Sequence, residues 1–108
     1  MPTFADVGAI LDGALAGFRT KNGRDPDLSV HLDNIGWGTK AELLASAAFG
    51  LPLIEPGKIG NGQGAQTNLA MALRTGVPGF PRMPYGGPYL SDDKIDTIIQ
   101  WIDDNVPD

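Results

Sequence analysis

The chain has 108 residues, 42% of them hydrophobic and 19% charged, with a net charge of -5 at pH 7 and a pI near 4.5. Such a chain can fold as one domain over residues 1–108 and bury a core without metal or disulfide help, well away from the composition of disordered chains. The acidic balance, without any Lys/Arg cluster, excludes nucleic acid as a partner, and the absence of cysteine excludes disulfides, thiol chemistry and thioether-linked cofactors.

Phe4, Val7, Ile10, Leu11, Ala14, Leu15 and Phe18 recur at three- and four-residue intervals, which predicts a helix over residues 4–17. Thr3 and Asp6 form its capping box, an oxygen and a carboxylate placed to satisfy the first free amides. Residues 20–38 are rich in Asn, Asp, Gly and Pro and read as an irregular loop. Thr39-Lys40-Ala41-Glu42 is a second capping box, ahead of a short helix through Leu43, Leu44, Ala47 and Ala48 that Gly50 and Pro52 end. The apolar run from Leu43 to Leu53, broken by Ser46, Gly50 and Pro52, is too short to insert in a membrane.

Glu55 to Ala65 is glycine-dense and reads as loop. Within it Gly60-Asn61-Gly62-Gln63-Gly64-Ala65 satisfies a loose dinucleotide pattern, but no strand enters it and the pattern is set aside. Thr67 caps a third helix through Leu69, Met71, Ala72 and Leu73, which stops at Gly76. The segment from Val77 to Pro88 holds four prolines and must be an extended loop. Ser91, with Asp92 and Asp93, opens a last helix with Ile95, Ile98, Ile99 and Ile102 inside and Asp96, Asp103 and Asp104 outside. No repeat and no convincing strand emerges. The expected fold is all-α, about four helices with the N- and C-terminal helices packed together and long Gly/Pro-rich loops between.

The stretch Phe80-Pro81-Arg82-Met83-Pro84-Tyr85-Gly86-Gly87-Pro88-Tyr89-Leu90-Ser91-Asp92-Asp93, followed by Ile98-Ile99-Gln100-Trp101-Ile102, resembles the end of bacterial class I cytochrome c domains. There a methionine-proline loop with glycines precedes a Leu-Ser-Asp helix start and a helix ending in Trp-Ile. Phe4-Ala5-Asp6-Val7 with Ile10-Leu11 resembles the family's first helix, and Glu55-Pro56-Gly57 to Ala72-Leu73 its middle loop and helix. The resemblance covers nearly the whole chain, most weakly at 20–38, and implies a cytochrome c-like fold.

The family's first helix ends in Cys-x-x-Cys-His, which attaches haem and supplies one iron ligand. The matching residues here are Leu15-Ala16-Gly17-Phe18-Arg19, so both thioether positions and the histidine are replaced. Met83 stands where the family has its other iron ligand. An empty haem site of a few hundred Å³ would cost roughly 5 to 10 kcal/mol at about 24 cal/mol per Å³, comparable to a small domain's whole stability. A collapsed core, repacked by Leu15 and Phe18 and supplemented by Trp37, Phe49 and Phe80, is therefore expected, with no cofactor and no metal.

Three functions follow from the resemblance. The first is a haem-free, noncatalytic interaction domain or small accessory subunit of a larger redox enzyme, whose partner docks on Phe80, Tyr85 and Tyr89 in the rigid proline loop. The second is a small-molecule-binding module or small enzyme using a remodelled pocket of Leu15, Phe18, Arg19, Trp37 and Met83, with His31 at its edge. The third is noncovalent haem binding through Met83 and His31. For each residue a plainer role competes: packing for Met83, a surface position for His31 and a helix-dipole partner for Arg19. Asp103, Asp104 and Asp108 read as a solvated acidic face. The family implies a periplasmic or otherwise extracytoplasmic site. Met1-Pro2-Thr3 opens no basic-then-apolar signal, which leaves a removed signal or a cytoplasmic protein as the alternatives.

Overall fold

The computed structural model describes residues 2–23, 36–48, 51–76 and 89–108 of a mostly helical chain. Helix α1 spans Phe4–Asn22. Its capping box forms: the Thr3 hydroxyl accepts from the Asp6 amide at 3.3 Å, and the Asp6 carboxylate accepts from the Thr3 amide at 2.9 Å. The helix runs past the expected end at residue 17, because polar residues on an exposed turn do not stop a helix. Gly23 stops it at φ 70°, its amide donating to the Arg19 carbonyl at 2.8 Å.

Helix α2, Lys40–Ala45, is shorter than its apolar spacing suggested. Thr39 caps it, its hydroxyl accepting from the Glu42 amide at 3.0 Å, but the Glu42 carboxylate accepts from Gly38 at 2.9 Å rather than closing the box on Thr39. Ser46 turns to extended backbone, and its hydroxyl donates back to the carbonyls of Glu42 and Gly36, each at 2.9 Å. Ala47 and Ala48, expected in the helix, instead form strand β1. It pairs antiparallel with β2, Leu51–Pro52, Ala47 opposite Pro52 and Ala48 opposite Leu51. The serine side chain competes for the Glu42 carbonyl, which would otherwise carry the helix on.

The glycine-rich stretch holds two 3-10 turns, Pro56–Lys58 and Gly64–Gln66. It wraps the end of helix α4, Asp92–Asp103: the Gly60 amide donates to the Ile102 carbonyl at 3.0 Å, and the Gly64 amide to the Asp103 carboxylate at 2.8 Å. A Cβ on Gly64 would lie 2.7 Å from the Ile99 carbonyl oxygen, so the close approach requires glycine there. This corrects the reading of Asp103 as part of a solvated face: it is half-buried and occupied by the loop.

Helix α3, Asn68–Arg74, starts at Thr67, whose hydroxyl accepts from the Ala70 amide at 3.2 Å and donates to the Gly64 carbonyl at 2.8 Å. Gly76 follows it in the left-handed region, φ 85°, as expected. Ser91 caps α4 by accepting from the Lys94 amide at 3.4 Å. The face of α4 that turns inward carries Ile95, Ile98, Trp101 and Ile102, all fully buried, while Ile99 is only half-buried.

These residues form the centre of a core with Val7 and Leu11 of α1, Leu43, Ile54, Leu69, Leu73, Leu90 and Val106. The terminal helices pack against each other, as the apolar stripes suggest, and the Phe4 and Trp101 rings lie 6.1 Å apart at 42°. No helix among the described residues is long and apolar enough to cross a membrane.

Candidate functional site

The residues that match the haem-attachment positions lie inside α1, within an unbroken stretch of helix. Phe18 is buried at 6% exposure, Leu15 is half-buried and Arg19 is exposed. Arg19 occupies the last turn with Lys21, where a cation complements the negative end of the helix dipole.

On one side of α1 the chain returns at Gly36-Trp37-Gly38 and leaves a solvent-open cleft of about 520 Å³. Phe4, Ala5, Gly8, Ala9, Asp12 and Leu15 form the helix wall, and the Gly36-Trp37-Gly38 triplet forms the other. The small side chains follow helical spacing, so their shared face is low and the cleft has room. Because it opens to solvent, its volume carries none of the penalty of an enclosed void.

Trp37 is fixed in place. Its indole Nε1 donates to the Asp12 carboxylate at 2.8 Å, the Gly36 amide donates to Ser46 Oγ at 2.9 Å, and the Gly38 amide is held by Glu42. Glu42 fills the space where a Cβ on Gly36 would stand. The buried Ser46 and the cap of α2 thus fix the outer wall of the cleft to the core.

Of the proposed pocket residues, the structure brings Leu15 and Trp37 to the cleft together. Phe18 and Arg19 are not on its lining, since one turns into the protein and the other into solvent. Met83 and His31 lie outside the described residues, as do Phe49, Phe80 and Tyr85. Tyr89, just before the cap of α4, is 49% exposed and the third proposed interface residue. Sequence reasoning missed Phe4, Asp12 and the two glycines beside Trp37. The signal for them is the run of small residues at helical spacing on the polar side of α1, which core-seeking periodicity passes over.

Two titratable groups are shifted by the contacts that surround them. Burial pushes the Glu55 carboxyl up, but hydrogen bonds from Lys58 at 2.5 Å and from the Asn68 amide at 2.8 Å outweigh it and hold the group below the usual carboxylate range. The Asp96 carboxylate, 2.6 Å from Arg74, raises the already high affinity of that guanidinium for its proton, with Asp92 at 3.6 Å adding to the effect. Both sets of contacts hold helices, the first the start of α3 and the second α3 to α4. Among the described residues no group of three or more His, Cys, Asp or Glu side chains is placed to hold a metal ion.

No family model, no curated protein and no solved structure matches the chain.

Proposed function

We propose that this chain is a haem-free, cytochrome c-like domain that acts without catalysis of its own, as an interaction domain or small accessory subunit of a larger redox enzyme in an extracytoplasmic compartment. The observation that carries the reading is what has become of the two thioether positions. Phe18 is buried at 6% exposure, which supports a side chain that shields itself from solvent where the family has a thioether, while Leu15 is half-buried on the wall of the cleft. The paired terminal helices, with Trp101 of α4 against Phe4 of α1, support the same ancestry. The exposed Tyr89 supports a docking role, being a large amphipathic side chain that loses little entropy on binding.

The test is a native mass spectrum of the protein from its own source, taken together with an absorption scan. The reading expects a protein complex of defined stoichiometry and no Soret band, with the complex lost in Tyr89→Ala. A Soret band would overturn the haem-free part, and a monomer at native concentration the subunit part.

A second reading draws on the cleft. Leu15 and Trp37, two of the residues proposed for a remodelled pocket, line a volume of about 520 Å³, a size that suits a small organic molecule. A bound small molecule in the same native spectrum, displaced in Leu15→Trp, would favour this module over the accessory subunit.

A further inference from the structure

Helix α4 closes in a Schellman turn: the Asn105 amide donates to the Ile102 carbonyl at 3.1 Å and the Val106 amide to the Trp101 carbonyl at 3.0 Å. Asn105 takes the left-handed position, φ 72°, which asparagine tolerates. Val106 takes it too, at φ 47°. Two features make valine a poor occupant. A β-branched side chain crowds its own backbone at positive φ, and a residue that precedes proline, as Val106 precedes Pro107, is driven toward extended backbone. Strain of this kind persists only where the surroundings over-determine it.

The surroundings of Val106 do so. Its side chain is 9% exposed within the core, and its carbonyl accepts from Lys40 Nζ at 3.2 Å. The next carbonyl, that of Pro107, accepts from both the Phe4 amide at 3.1 Å and the Trp101 indole at 2.7 Å. Lys40 also pairs with the Asp108 carboxylate at 2.6 Å, but with Asp108 92% exposed that pair adds little hold. Residues 105–108 therefore bind the start of α1, the start of α2 and the buried indole of α4 to one strained turn. Phe4, held by this turn, is also a wall of the cleft.

We propose that residues 105–108 are a strained strap with a second, released state, and that Lys40 is its catch. On release Val106 relaxes to extended backbone, the Pro107 carbonyl leaves the Phe4 amide and the Trp101 indole, and the cleft loses the anchor at its Phe4 end. The strap thereby couples the end of α4 to the shape of the cleft. Neutralising or removing the Lys40 ammonium shifts the balance toward the released state, because the Val106 carbonyl then loses a charge-assisted bond that helps to hold the unfavourable φ.

Hydrogen exchange followed by NMR on the full chain tests this. In the unmodified protein the Trp101 indole proton and the Phe4 amide should exchange together, at least about ten-fold faster than the Ile98 and Ile102 amides of α4, as a local opening requires. In Lys40→Met those two protons should gain about another ten-fold while the helix amides keep their rates. Exchange of the Trp101 indole at the rate of the helix amides in the unmodified protein would overturn the strap, whatever the variant does. Equal acceleration of every amide in Lys40→Met would overturn the role of Lys40 as its catch.

Discussion

Gly64 shows how much one residue carries here. Its missing side chain lets the loop lie against the backbone of α4, where a Cβ would meet the Ile99 carbonyl oxygen at 2.7 Å and the Asp103 carboxylate at 2.8 Å. Gly64→Ala is expected to lower stability by about 1–3 kcal/mol, the usual cost of overpacking a site that cannot yield. Urea unfolding measures it, and an unchanged midpoint would mean that the loop does not lie on α4. Within α1, Phe18→Ala should cost about 3–5 kcal/mol, the usual range for a buried aromatic side chain. Leu15→Ala should cost clearly less, since Leu15 faces an open cleft. Equal, small losses would contradict the view that Phe18 has become a packing residue.

Among the elements, the third helix is held at its start by a carboxylate as well as by its Thr67 cap. Glu55 accepts from the first amide of α3 at 2.8 Å and from Lys58 at 2.5 Å, and its carboxyl is held below the usual range in the folded protein. A group depressed on folding gives stability that is present above its unfolded pKa and is lost as pH falls through its folded one. The unfolding free energy should therefore decline below about pH 4.5, the ordinary value for the group. Glu55→Gln should flatten that acid limb in urea titrations at successive pH values, and an unaltered limb would show that other carboxylates produce it. The starts of the elements were legible in the sequence because caps are local: Thr3, Thr39, Thr67 and Ser91 each act on an amide within three residues. The end of α2 was not, because Ser46 bonds to the Glu42 carbonyl while it is also held by Gly36, ten positions back. The end of α1 lies beyond its last apolar residue, because Gly23 and not the apolar spacing marks it.

For the molecule as a whole, the legible part was the helical class and the pairing of the terminal helices, both carried by apolar stripes that need only one another. The illegible part is made of contacts between distant residues. The glycine run that mimics a nucleotide loop is bound to α4 by Gly64 and Asp103, 39 positions apart. The cleft joins Asp12 to Trp37, 25 positions apart, through a single hydrogen bond. Spacing within a segment carries no trace of either. Leu15, Phe18 and Arg19 are grouped by sequence position alone, and the fold separates them into a cleft wall, a buried side chain and an exposed cation. With a net charge of -5, the whole protein is also expected to leave DNA unbound at low salt in a mobility-shift assay, and a retained complex would contradict that expectation.

The proposed function requires that the chain binds no haem. Titration of the purified chain with haemin, followed in the Soret region, tests it most directly. The expected result is the spectrum of free haemin at every ratio, with the tryptophan fluorescence of Trp37 and Trp101 unquenched at stoichiometric concentration. A saturable one-to-one complex with a shifted, sharpened Soret band, abolished in Met83→Ala, would contradict it and establish the chain as a noncovalent haem protein.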